Sequence, residues 1–363
     1  MDIEGHRGSN MIIGIIPPVT RTGEFKYCET LVRGLNERGL EVKVLNNQFL
    51  VHRSNLKIFL GSLLLKRIIK EEVEILHNTD NLGPFLFRNS DTKIKRISTV
   101  HDIAPVVLPD IHSNIMKFDF KIVLPRLIEN SDLIITDSYS TKEDLEEYFQ
   151  VNAAKIDVAH LGVDLSFFYP REHDDILMKK YGINNDYIFY LGNDNPRKNL
   201  KNLIIAYSKI YKDVEQDLVL VGPIDQKNLR TLTEKIDKGG DLSERIITPG
   251  YVDYEHLPLF YSQATSLIFT SLYEGFGFAP LEAMACGTPV IISNNSSISE
   301  VVGDSGLYIN NPLNVEEISN KITELLNDEK LQNKLMKRGP KRAEMFTWDN
   351  TINKTIKAYE KVY

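Results

Sequence analysis

The 363-residue sequence has two cysteines, one tryptophan and no unbroken apolar stretch of bilayer length. Cys28 and Cys286 are too few for a disulfide framework or a zinc-ligand set, so a reducing compartment fits. Without an apolar run of about 18 residues the chain has no spanning helix, although a helix lying on a membrane surface stays open. A basic excess is missing too: 43 Lys and Arg face 50 Asp and Glu, for a net charge of −7 spread over both halves. Nucleic acid is therefore not expected as a partner. The start, Met1-Asp2-Ile3-Glu4-Gly5-His6, lacks the basic-then-apolar layout of a signal peptide, and residues 1–10 precede the first strand pattern as a leader would. There is neither an Asp-x-Asp motif nor a clustered set of His and Cys, so no metal site is expected.

What is present suits two globular cores. Hydrophobic residues make up 42% and charged residues 26%, and a length of more than twice ~150 residues predicts about two domains. Short β-branched runs alternate with segments of helical apolar spacing. Strands are expected at Ile12–Ile16, Glu41–Leu45, Glu74–His77, Arg96–Val100, Leu133–Thr136 and Ile156–Ala159, with helices between them. The segment from Leu161 to Pro170 breaks the rhythm, which restarts at Tyr187–Leu191 and continues through Leu218–Val221, Ile246–Thr248, Ser266–Phe269 and Val290–Ile292. The fold class is thus α/β, with two Rossmann-like domains over 1–165 and 166–345 whose ligand would lie in a cleft at the strand ends. The tail from Asn314 reads as two or three helices, with a break at Gly339-Pro340 and a fresh start near Trp348. The last helix, 346–363, is expected to pack back toward the first domain.

Two stretches carry chemistry. Ser271 to Val290 runs from a strand end through Glu274-Gly275-Phe276-Gly277-Phe278-Ala279 into a helix. Pro280 is expected at the first helical position, Glu282 in the first turn and Gly287 just past the end. Such a loop offers backbone N–H groups and a helix start to an anion, while two flanking carboxylates suit sugar hydroxyls. The second stretch is Leu191-Gly192-Asn193-Asp194-Asn195-Pro196-Arg197-Lys198-Asn199-Leu200, where adjacent cations at a strand–helix junction can meet a diphosphate. Read alone, the glycines are also turn formers and the cations also solvated surface.

Together these residues resemble the retaining family 4 glycosyltransferases of GT-B fold. The match covers two glutamates with seven residues between them, Glu274 and Glu282, in a Glu-Gly-Phe-Gly setting, then Leu-Glu-Ala-Met-Ala-Cys-Gly-x-Pro-Val up to Val290, with Arg197-Lys198-Asn199 upstream. The resemblance implies transfer of a hexose from a nucleotide sugar to a hydroxyl of a glycan or lipid-linked saccharide. No cofactor is implied beyond the donor, which serves as co-substrate. It implies that Arg197 and Lys198 neutralise the diphosphate, Glu274 holds the sugar and Glu282 the ribose. The backbone around Gly275, Phe276, Gly277, Phe278, Ala279 and Leu281 would line the donor site, with Val252 near the base. His101, in Thr99-Val100-His101-Asp102, is similar to a Val-His-Asp of mannosyltransferase-type members, which favours mannose from GDP-mannose. UDP-glucose or another UDP-sugar is the alternative, followed by an epimerase or a non-catalytic sugar-nucleotide binder. Where the family shows two adjacent glycines, this chain has Arg21-Thr22-Gly23, so only Gly23 matches.

A basic amphipathic segment, Asn55–Glu71, carries Lys57, Lys66, Arg67 and Lys70, and the next helix carries Lys117, Lys121 and Arg126. It reads either as a sheet-packing helix with a solvated edge or as a helix lying on an anionic bilayer. The expected location is the cytoplasm, with the inner face of the cell membrane as the seat under the second reading.

Overall fold

The structure, a computed structural model, describes residues 11–18, 23–45, 73–83, 85 and 93–363. The chain divides into two compact units, Met1–Gly162 with Trp348–Tyr363, and Val163–Thr347. The segment Asn55–Glu71 lies outside the described residues, as does Arg21.

The first unit holds β1 (Ile12–Ile16), β2 (Glu41–Val44), β3 (Ile75–Asn78), β4 (Lys95–Val100), β5 (Leu133–Thr136) and β6 (Ile156–Val158) in the order β2-β1-β3-β4-β5-β6. Every pairing is parallel. Runs such as Leu-Ile-Ile-Thr in β5 are buried at every position, because helices cover both faces of a parallel sheet. The Asn114–Asn130 helix packs Phe120, Leu124, Leu127 and Ile128 onto this sheet with Val100 and Ile134. The Trp348–Val362 helix also belongs here. Its Ile352 lies over Gly34, where a Cβ would stand 2.0 Å from the Ile352 Cδ1, and Arg38 bonds Asp349 at 2.6 Å. Tyr359 inserts its hydroxyl 2.7 Å from His77 Nδ1, and His77 Nε2 is 2.8 Å from Thr99 Oγ1. Burial, and then the charge of His101, push His77 down to about 3, so this buried imidazole is neutral and its bonds are those of a core residue.

The second unit holds β7 (Tyr187–Leu191), β8 (Asp217–Val221), β9 (Ile246–Ile247), β10 (Ser266–Phe269), β11 (Val290–Ser293) and β12 (Leu307–Ile309) in the order β12-β11-β10-β7-β8-β9, again all parallel. Counted within the unit this is the 3-2-1-4-5-6 order of a Rossmann sheet. Its direction of winding reverses between β7 and β10, the place where open sheets of this order bind ligands.

Three local expectations are corrected. The helix after Gly277 starts at Phe278, so Pro280 is its third residue and Glu282 its fifth, beyond the first turn. Gly277 adopts φ +109 and turns the chain early. Proline is tolerated at the third position because the first N–H groups of a helix have no acceptor within it. Gly339-Pro340 does not break the tail: one helix runs from Glu329 to Ala343 through both. A Cβ on Gly339 would lie 3.1 Å from the Met284 carbonyl, so this glycine marks a close helix–helix approach rather than an end. Finally, β12 forms where no strand was expected, as a three-residue edge pairing with β11.

Candidate functional site

In the second unit, the adjacency of β7 and β10 brings together the two stretches singled out in the sequence. Tyr-Ile-Phe-Tyr-Leu of β7 ends at Leu191, and the turn after Gly192 is built by asparagines. Asn193 Oδ1 accepts the Asn195 N–H at 3.2 Å, and Asn195 Oδ1 accepts the Arg197 N–H at 2.9 Å. Pro196–Lys198 forms one 3-10 turn, and Asn199 at φ +58 leads into the Leu200–Ser208 helix. This geometry sends both cations toward the loop after β10. Arg197 Nη1 reaches Glu274 Oε2 at 2.8 Å and the Tyr273 carbonyl at 2.9 Å, while Lys198 Nζ reaches Glu274 Oε1 at 2.7 Å. The ammonium of Lys198 also stands 5.1 Å from the centre of the Phe269 ring.

Glu274 is 7% exposed. Burial is the largest influence on its carboxyl and disfavours ionisation, but Lys198 and Arg197, joined by the Ser271 hydroxyl, override it and hold the group below the usual carboxylate range. The cluster is therefore a charged triad of two cations and one carboxylate. It can bind an anion only by sharing its cations, and a polyol through the carboxylate.

Around the triad, the loop turns at Gly277 into the Phe278–Ala285 helix. Phe276 packs edge-on against Phe278 and Phe346, which fixes the loop's apolar side. Leu281 is buried in the core, and Glu282 Oε2 accepts the hydroxyl of fully buried Tyr261 at 2.9 Å. On the far side of β7, Gly222 after β8 approaches the Gly192 carbonyl so closely that a Cβ would stand 2.0 Å from it, at φ +133. Val252 is buried next to the exposed Tyr251, beyond β9.

The remaining expected residues lie in the first unit. Gly23 opens the Gly23–Glu37 helix. His101 follows β4 and Asp137 follows β5. The register Val100↔Thr136 sets the two side by side, with Nδ1 2.5 Å from Asp137 Oδ2 and Nε2 3.1 Å from the Thr79 carbonyl. Desolvation, the largest influence, lowers the imidazole's affinity for a proton, yet the Asp137 charge and hydrogen bond outweigh it and push His101 up to about 10. Both ring nitrogens then act as donors to protein oxygens, and His101 is a fixed cation.

Three residues that the sequence reading missed touch the Glu274 loop: Asn295, Ser296 and Ser297, at the start of the Ser296–Val302 helix. The only signal was a polar Asn-Asn-Ser-Ser run after an apolar strand, which marks a helix start without saying what it holds.

The model of glycosyl transferases group 1 matches residues 174–342, and that of Glycosyltransferase Family 4 matches residues 23–167. The O-antigen chain mannosyltransferase B of Escherichia coli is 32% identical over 273 residues, covering 73% of this chain and 70% of its own. The serotype-specific mannosyltransferase WbdA of Escherichia coli is 26% identical over 74% of this chain, which spans about a third (34%) of WbdA. Among solved structures, sucrose-phosphate synthase from Thermosynechococcus elongatus superposes with a TM-score of 0.76 over 97% of this chain and 99% of its own, at 21% identity. The fold is that of the GT-B glycosyltransferases.

Proposed function

The chain belongs to the glycosyltransferases described by the group 1 and Family 4 models, and on that premise we propose that it transfers mannose from GDP-mannose, with retention, to a hydroxyl of a glycan or lipid-linked saccharide. The observation that carries this reading is the triad of Arg197, Lys198 and Glu274 at the reversal point of a Rossmann sheet. A departing nucleoside diphosphate needs cations in place before the bond breaks, and preorganised charge is most effective in a crevice poor in water. Arg197 offers a planar fork and Lys198 a point charge. The N–H groups from Gly275 to Phe278 and the start of the Phe278–Ala285 helix add donors without adding a side chain. Glu274 then takes hydroxyls of the sugar, Glu282 those of the ribose, and Val252 packs beside the base. The diphosphate oxygen accepts the proton of the incoming hydroxyl, so no protein nucleophile is required. In the first unit, His101, held charged by its pairing with Asp137, is assigned to the donor sugar or the acceptor, and Gly23 to the donor. The mannosyl assignment draws support from the two mannosyltransferase relatives.

The test is a panel of GDP-mannose, UDP-glucose, GDP and UDP in thermal shift, followed by product analysis. Only true ligands stabilise the fold in proportion to affinity. Stabilisation by GDP-mannose and an α-linked product are expected. Preference for UDP-glucose would move the donor, a change of sugar without acceptor would mark an epimerase, and binding without turnover a non-catalytic protein.

A peripheral membrane contact is favoured by one feature of the first unit. Among the described residues no helix is long and apolar enough to cross a membrane, but the Asn114–Asn130 helix is apolar on its outer face as well as its inner one. Ile115, Phe118 and Ile122 are 70%, 51% and 51% exposed along one stripe, beside exposed Lys121 and Arg126. An interfacial helix combines these two properties. Flotation with anionic vesicles, reduced by Phe118→Ser and absent with neutral vesicles, is the expected result.

A further inference from the structure

Glu274 is fixed from two sides of β10. Its carboxylate is held by the loop after β7, on one flank. Its backbone is held by the loop after β11, on the other flank, and this second attachment consists entirely of side chains. Ser296 Oγ accepts the Glu274 N–H at 3.0 Å. Ser297 Oγ lies 2.8 Å from the Glu274 carbonyl and 2.9 Å from the Phe276 carbonyl, sharing its one proton between them. Asn295 Nδ2 donates to the carbonyls of Leu272 at 3.0 Å and Ser271 at 3.2 Å.

We infer that Asn295, Ser296 and Ser297 are positioning residues for Glu274, holding the Ser271–Phe276 loop so that the carboxylate stays between Arg197 and Lys198 when a donor arrives. This rests on the proposed transferase reading. Three observations lead to it. First, the loop lies between β10 and the Phe278–Ala285 helix with no strand or helix of its own, so its backbone groups need other partners. Second, Ser297 is fully buried, so its hydroxyl cannot trade these carbonyls for water. Third, Ser296 sits at φ +46, a conformation that non-glycine residues rarely adopt, and the strain is kept at the residue whose hydroxyl meets the Glu274 amide. An ordinary helix cap would bond its own helix. Here the hydroxyls of two successive residues turn outward onto a neighbouring loop.

The experiment uses the full chain and four variants. Ser297→Ala removes the shared proton. Ser296→Gly keeps the left-handed backbone while removing the hydroxyl. Ser299→Ala, whose hydroxyl bonds only the Ser296 carbonyl of its own helix at 3.2 Å, is the control, and Glu274→Ala reports on the site itself. Amide exchange across 272–278 and steady-state kinetics with the donor are measured together. For Ser297→Ala and Ser296→Gly, exchange is expected to quicken at least about tenfold and kcat to fall about tenfold, since small misplacements of a reacting group are costly. Donor KM should stay within about threefold and the melting temperature within a few degrees, and Ser299→Ala should change none of these. Unchanged exchange, or faster exchange with kcat intact, overturns the inference. So does a loss of kcat matched by an equal loss of stability. Full transfer by Glu274→Ala would instead overturn the transferase reading and the positioning role with it, while the exchange data would still report on the hydrogen bonds themselves.

Discussion

Replacing Glu274 by Gln keeps the shape of the side chain and removes its charge, which takes from Arg197 and Lys198 the carboxylate they share. At 2.7 and 2.8 Å each ion pair has a Coulomb term of about 6 kcal/mol at an effective dielectric of ~20, most of which is offset by the desolvation of three buried groups. Breaking a buried pair from one side costs ~3–5 kcal/mol. The cation side chains keep 20% and 18% of their exposure, which lets water screen them and places the loss nearer about 2–3 kcal/mol. For a domain of this size that is a fall of roughly 4–12 °C in melting temperature. The informative step comes next, on adding GDP. If the two cations serve the diphosphate, the variant has them released in advance, so GDP should bind it at least as tightly as it binds the wild type and restore more of its melting temperature. Transfer should drop by ~10²-fold or more, as for loss of an electrostatic contact in a preorganised site. Acid behaviour gives a cross-check. The folded-state carboxyl is depressed below its ordinary 4.5, so its contribution is fully present above 4.5 and is lost as the pH falls through the folded value. The wild type should lose more stability over that acid window than the variant, which keeps other depressed carboxylates such as Asp237. Calorimetry and thermal shift across pH measure all of this. Weaker GDP binding by Glu274→Gln would refute the idea that the carboxylate and the diphosphate compete for the same cations.

Three further outcomes follow from the geometry. His101 is raised to about 10 by its pairing with Asp137, so its stabilisation is complete below the ordinary 6.5 and is lost as pH rises toward 10. Urea unfolding at pH 6 and 8 should show a decline on the order of a few kcal/mol that His101→Gln reduces, and a flat wild-type profile would contradict the charged state. Gly222→Ala puts a Cβ 2.0 Å from the Gly192 carbonyl at φ +133, so the loop leading to Arg197 must move. A cost above ~2 kcal/mol and a weaker affinity for GDP are expected, and unchanged GDP titrations would argue against the loop's role. Gly339→Ala meets Met284 backbone atoms at 3.1–3.2 Å and should lower stability by ~1–2 kcal/mol in thermal melts, with little change if the helices can part freely.

Eleven of the twelve strands among the described residues were legible, most plainly where a parallel sheet covered on both faces needs an apolar run without alternation, as in Tyr187–Leu191 and Val290–Ser293. Leu307–Ile309 was not: Ile156–Val158 and Ile246–Ile247 are edge strands as short, but each has two β-branched residues, whereas Leu-Tyr-Ile has one. Pro280 and Pro340 differ from expectation for one reason: where a helix starts or continues at a proline depends on the turn that precedes Phe278 and on the partner that lies against Gly339, and neither is local to the proline. Within the site, each residue type could be read, but the pairings could not. Nothing local says that Asp137 belongs to His101; the adjacency of β4 and β5 does. Equally, Asn295 to Ser297 have the composition of a helix start, and only the order β11-β10-β7 turns their hydroxyls onto Glu274.

That strand order also bears on the charge the site can accept. Arg197, Lys198 and Glu274 sum to a net of about +1, so a singly charged group could be neutralised by the triad alone. A diphosphate brings at least one charge more, and the excess must fall on uncharged donors. The loop after β10 can supply both, since it meets the cations from β7 on one flank and continues into the Phe278–Ala285 helix, whose first N–H groups have no intrahelical acceptor. A carboxylate at the centre of such a site would be a liability if it were free to swing onto the phosphates. Held by its backbone from the β11 side, Glu274 can release the cations without following them, which leaves its oxygens for the neutral hydroxyls of the sugar.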